Sequence, residues 1–157
     1  MKTASVSEIK SALSNLPQDE LLDICLKLVK YKKENKELLN YLLFESQDEQ
    51  AYIVLIKNEI NNLFEEVNTS NLYFAKKTIR KILRLTTKYC RHSGSKQVEV
   101  ELLLHFCTVL KDSGIPMKNS TALHNIYFSQ IKKLEKLLAD LHEDLQYDYK
   151  KSMNHLY

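Results

Sequence analysis

Glycine and proline are nearly missing from this chain, with two of each in 157 residues, and tryptophan is absent altogether. A β-sandwich of this length needs a turn roughly every 8–12 residues, and turns draw heavily on glycine and proline. That shortage excludes a strand-rich fold. The residues used instead, mainly Leu, Lys, Glu, Ile and Asn, are good or tolerable helix formers, so the expected class is all-α. Long apolar runs are missing too: none approaches the roughly 20 residues needed to span a bilayer, and the start, "MKTASVSEIKSAL", has no apolar export core. Three cysteines, an odd number, are expected as reduced thiols in the cytoplasm. The net charge of +3 is too small to imply a polyanionic partner by itself. There is no glycine-rich phosphate loop, no nucleophile elbow and no Glu-x-x-His pair of a di-iron bundle.

Signals for helix starts, in contrast, are plentiful. Ser5-x-x-Glu8 and Ser46-x-x-Glu49 fit the capping box, in which the serine and the acid each satisfy an orphan backbone N–H. Pro17 suits a first helical position and is followed by acids in the positive first turn. Asn35, Asn71, Ser95 and Asn119 or Ser120 suit N-caps. Gly94 and Gly114 suit the left-handed residue that ends a helix. These signals predict a short helix near 5–14 and then helices near 17–33, 35–45, 47–67, 71–92, 95–113 and 120–155. The reading is a single helical domain over 1–157, of six or seven helices in antiparallel hairpins. Either an irregular helical bundle or a short HEAT-like α-α stack satisfies it.

Two helices stand out by their faces. From Ser95 onward, Val98, Leu102, Leu103, Leu104, Phe106, Cys107, Val109 and Leu110 cover most of the circumference, leaving a polar strip of Glu101, His105 and Thr108. A helix apolar nearly all round is buried on several sides, so this one is expected at the centre. The last helix carries Tyr127, Ile131, Leu134, Leu138, Leu141 and Leu145 in a 4-3-4-3-4 spacing and continues through Tyr149, Met153 and Leu156. Packing on the protein's own core is favoured for this stripe. If the end over about 146–157 projects instead, Tyr149, Met153 and Leu156 form a ridge suited to a homodimer.

Cys90-x-His92 and His105-x-Cys107 resemble metal-ligand pairs, but zinc ligands must converge on one ion. On two helices hinged at Gly94, the second pair lies about 15–18 Å along its helix from the hinge, and residues two apart on a helix diverge. No metal and no cofactor is expected. Glu101 and His105, one turn apart, suit a carboxylate–imidazole pair, which explains both residues without catalysis and also matches a general base with its orienter.

The remaining signal is charge. Lys76, Lys77, Arg80, Lys81, Arg84, Lys88 and Arg91 share one arc of the 71–92 helix, with no acid among them, opposite Leu72, Ala75, Ile79, Ile82, Leu83, Thr86 and Cys90. Like charges at these spacings cost a few tenths of a kcal/mol per pair. The favoured compensation is the preceding helix, which holds Asp48, Glu49, Glu59, Glu65 and Glu66 against a single Lys57. The alternative is a phosphate-binding surface.

The stretches "LPQDELLDICLKLVKYKKENKELLNYLLFE", "KKTIRKILR", "VEVELLLHFC" and "LHEDLQYDY" resemble a family of small, uncharacterised, all-helical bacterial proteins, over about Leu16–Tyr149. The resemblance implies a bacterial cytoplasmic protein and carries no activity, cofactor or catalytic residue. The functional expectation is a non-enzymatic interaction scaffold, with a protein as its unknown partner. Nucleic-acid binding through the basic arc is the alternative, and an enzyme centred on Glu101 and His105 the second.

Overall fold

A computed structural model describes residues 1–157 and contains eight α-helices and no strand. They are α1 (Val6–Ser14), α2 (Gln18–Tyr31), α3 (Lys33–Asn40), α4 (Glu49–Glu65), α5 (Leu72–Ser93), α6 (Lys96–Asp112), α7 (Thr121–Ala139) and α8 (Glu143–Leu156). A π-helical turn follows α3 at Tyr41–Glu45 and a 3-10 turn precedes α7 at Met117–Asn119. The contacts divide the chain into two units, Met1–Phe44 and Glu45–Tyr157.

The first unit contains α1, α2 and α3. Its opening capping box forms as expected: the Ser5 N–H donates to Glu8 Oε2 at 2.6 Å and the Glu8 N–H to Ser5 Oγ at 3.3 Å. The α2–α3 hairpin turns on a single extended residue, Lys32. Asn35 is not the expected cap of α3. Its amide nitrogen donates to the Leu28 carbonyl at 2.7 Å and ties the two helices together. No residue of α1, α2 or α3 is buried.

The second unit is a bundle around α6, which packs against α4, α5, α7 and α8. Val98, Val100, Leu102, Leu103, Phe106, Cys107 and Leu110 of α6 are fully buried, the central placement that its near-continuous apolar surface predicts. Burying each large apolar side chain contributes about 1.5–3 kcal/mol relative to exposure. The neighbours meet α6 with apolar stripes at helical spacing: Ile53, Ile56 and Ile60 from α4, Ala75, Ile79 and Ile82 from α5, Leu123, Tyr127 and Leu134 from α7. Local capping starts each helix. Asp48, not Ser46, caps α4, by accepting from the Ala51 N–H at 2.9 Å. Ser95 and Ser120 cap α6 and α7.

The long C-terminal helix is where expectation and structure differ. It breaks after Ala139, and α8 starts afresh behind His142, whose Nδ1 accepts from the Asp144 N–H at 3.2 Å. Glu143 and Asp144 supply the acids that favour a helix N-terminus. The break lets α8 fold onto α6 and α7, and the Tyr127 hydroxyl locks its end by donating to the Leu156 carbonyl at 2.6 Å. Tyr149, Met153 and Leu156 are therefore 8%, 5% and 2% exposed. They are core residues, not a projecting dimer ridge. The apolar stripe resumes in register on α8, so periodicity alone could not reveal the break.

Candidate nucleic-acid interface

The cationic arc is presented by α5, the longest helix at 22 residues, or about 33 Å at 1.5 Å per residue. Asn71 starts it, its side-chain oxygen accepting from the N–H groups of Tyr73 at 3.0 Å and Phe74 at 3.3 Å. Gly94 ends it at φ +66, donating to the Cys90 carbonyl at 3.0 Å. That conformation suits glycine, which has no Cβ to clash. Ala75, Ile79, Ile82, Thr86 and Cys90 are buried on one face, so their opposite face must look outward.

On that outward face Lys77, Arg80, Lys81, Arg84 and Arg91 are exposed, while Lys76 and Lys88 are half-buried. All three arginines of the chain are among them. The expected neutralisation by α4 is not found for Lys76, Lys77, Arg80, Lys81, Arg84 and Arg91, which make no ion pair. The bundle's Lys–carboxylate pairs lie elsewhere, Lys57 with Glu101 at 2.6 Å, Lys133 with Glu99 at 2.7 Å and Lys96 with Asp140 at 3.1 Å. Glu49, Glu59, Glu65 and Glu66 are exposed to water instead. Helix α4 is a neighbour of α5, as expected, but packing on α6 turns its single lysine, and not its acids, toward a partner. The lysines at the start of the arc have an aromatic companion: the Lys77 and Lys76 ammonium groups lie 4.5 and 5.6 Å from the centre of the exposed Tyr73 ring. Lys88 lies 5.3 Å from the centre of the Tyr89 ring. The six groups of Lys76, Lys77, Arg80, Lys81, Arg84 and Arg91, on one rigid helix and without ion pairs, suit phosphate oxygens, and arginine can bind them with two parallel N–H donors.

The polar strip of α6 lines a groove of about 520 Å³, walled by Gln50 and Lys57 of α4 and by Asp148 and Tyr149 of α8. Glu101 and His105 both face it, yet they do not form the expected pair. Glu101 Oε2 accepts from Lys57 Nζ at 2.6 Å and its Oε1 accepts from the Tyr149 hydroxyl at 2.7 Å. Burial pushes the Glu101 carboxyl upward, but these two hydrogen bonds and the Lys57 charge outweigh it and hold the group below the ordinary carboxylate value. The same contact, after burial, pushes the Tyr149 phenol up. His105 Nε2 donates to Asn61 Oδ1 at 2.7 Å. Burial, helped by the Lys57 charge, lowers its pKa. Thr108 donates back to the Leu104 carbonyl at 2.8 Å, a contact within its own helix. Lys57, Asn61 and Tyr149 were not legible as partners in the sequence, because each is more than forty positions from its strip residue.

The cysteines of the two Cys/His pairs are buried. Burial pushes both thiols up to about 12, with the charge of Glu99 contributing at Cys90. No group of three or more His, Cys, Asp or Glu side chains is placed to hold a metal ion. No protein-family model, curated protein or solved structure matches the chain.

Proposed function

We propose that this protein is a non-enzymatic helical module that binds nucleic acid by its phosphate backbone, using the outward face of α5. The observation that carries this reading is the set of six cationic side chains on one rigid face with no ion pair to the rest of the chain. Their mutual repulsion is left uncompensated within the protein and is relieved by a polyanion. The groove at Glu101 supports catalysis less well, since both carboxylate oxygens are already engaged by Lys57 and Tyr149. A bacterial, cytoplasmic setting is part of this proposal and rests on the sequence resemblance alone. No helix is long and apolar enough to cross a membrane.

Fluorescence anisotropy with labelled duplex DNA, single-stranded DNA and RNA tests the reading. Three to five phosphate contacts predict a slope of log K against log salt of about −3 to −4.5 on duplex and about −2 to −3.5 on single strands. Backbone contacts carry no base information, so affinity should vary little with sequence. The Lys77→Ala, Arg80→Ala, Arg84→Ala triple variant should reduce the magnitude of the duplex slope by nearly three while changing stability by no more than about 0.5 kcal/mol per site. Absence of binding at tens of micromolar protein in low salt overturns the proposal. An acidic helical protein that binds the same face when nucleic acid does not would assign the arc to a protein partner.

A further inference from the structure

The first unit leaves apolar surface unpartnered. On α2, Leu22 is 59% and Leu26 is 44% exposed, and Leu28 is exposed beside them. Cys25, Leu28 and Val29 of α2 face Leu38, Leu39 and Leu42 across an apolar groove of about 210 Å³. Helices of 14 and 8 residues are marginal by themselves, and a unit of this size without a core commonly relies on association. The charge order along α2 indicates what covers the face. Asp19, Glu20 and Asp23 fill its first half, and Lys27 and Lys30, with Lys32 just beyond, fill its second. Such a helix repels a parallel copy and attracts an antiparallel one, because each acidic half then lies against a basic half.

We propose that α2 and α3 form a homotypic interface, with α2 packed antiparallel on α2 of a second copy about a two-fold axis near Cys25. Leu22 and Leu26 of each copy lie against the apolar groove of the other, and Asp23 and Glu20 of each face Lys27 and Lys30 of the other. This is an isologous contact, in which one self-complementary patch serves both partners. A 14-residue helix is about 21 Å long and two adjacent helices about 20 Å wide, so the footprint is roughly 400 Å² per copy. The total of roughly 800 Å² is below the range of stable specific interfaces and belongs with weak, transient ones, so the dimer is reversible, with a Kd on the order of tens of micromolar. The interface uses none of the cationic residues proposed to bind nucleic acid.

Sedimentation equilibrium of the full chain over about 1–500 µM, a range that brackets that Kd, tests it. The expected result is a monomer of 18.4 kDa in reversible equilibrium with a dimer. Leu22→Glu with Leu26→Glu places four carboxylates in the interface and should weaken association by at least about 100-fold, with the helical circular dichroism signal retained because both positions are exposed. Asp19→Lys, Glu20→Lys and Asp23→Lys together make α2 basic throughout, and Lys27→Glu with Lys30→Glu makes it acidic throughout. Each variant alone should be monomeric, and an equimolar mixture should form a mixed dimer. Oxidation of the wild type should trap a Cys25–Cys25 dimer, since Cys90 and Cys107 are buried. A wild type that stays monomeric throughout overturns the proposal. So do a dimer unmoved by the Leu22 and Leu26 changes, charge variants that fail to pair on mixing, and a monomer that instead binds anionic lipid vesicles through α2.

Discussion

Replacing Tyr149 with Phe removes one hydroxyl and little else, because the ring is only 8% exposed and Phe fills the same space. The lost contact is the 2.7 Å hydrogen bond to Glu101 Oε1, a neutral donor on an ionised acceptor, which contributes about 1.5–3 kcal/mol. The Glu101 side chain retains 24% exposure, so water can take the vacated oxygen, and the lower end of that range applies, about 1.5 kcal/mol. For a chain of this length that is a fall in Tm of roughly 3–6 °C. Urea and thermal unfolding near pH 7 measure it. Since Glu101 is held below its ordinary pKa, the stability it contributes is complete above about 4.5, the ordinary carboxylate value, and is lost as pH falls through the lowered value. The deficit of Tyr149→Phe should therefore shrink in acid. Lys57→Met acts on the same carboxylate, so the two changes should be non-additive in a double-mutant cycle. A deficit below about 0.3 kcal/mol at neutral pH would refute the reasoning and class the contacts with solvated surface pairs.

His105 provides a pH test of opposite chemistry and the same sign. Its folded pKa is lowered by burial and Lys57, so below about 6.5 the unfolded chain takes up a proton that the folded one refuses, and stability falls on acidification. His105→Gln, which keeps a donor for Asn61, should flatten that step in urea midpoints collected from pH 5 to 8. Tyr127→Phe leaves the buried Leu156 carbonyl without its donor. A loss of about 1–2 kcal/mol is expected, with amide exchange accelerating first in the last turn of α8.

The seven residues opposite the basic arc, six of them apolar, illustrate how much could be read in advance. Ala75, Ile79, Ile82, Thr86 and Cys90 are all buried, with Leu72 and Leu83 half-buried beside them. Asn71 and Gly94 bound the helix within one residue of their expected positions. The centrality of α6 was legible for the same reason, since an apolar circumference requires neighbours on every side. Misplaced boundaries came from competition among adjacent capping residues. Asp48 displaced Ser46, and Asn35 used its side chain across the hairpin and not at a helix start.

The all-helical class, the polarity of α5 and the polar strip of Glu101 and His105 were determined by the sequence alone, because caps and 3.6-residue periodicity act within a few positions along the chain. Partnership was decided only by tertiary structure. Whether Glu101 meets His105 or Lys57, and whether the basic arc meets the acids of α4 or water, depends on the rotation of one packed helix against another. So does the fate of Tyr149, Met153 and Leu156, since the same stripe is a dimer ridge on a straight helix and core on a helix broken at Asp140–His142. A contact between residues more than forty positions apart leaves no periodic trace in the chain, and burial of the apolar faces sets that rotation.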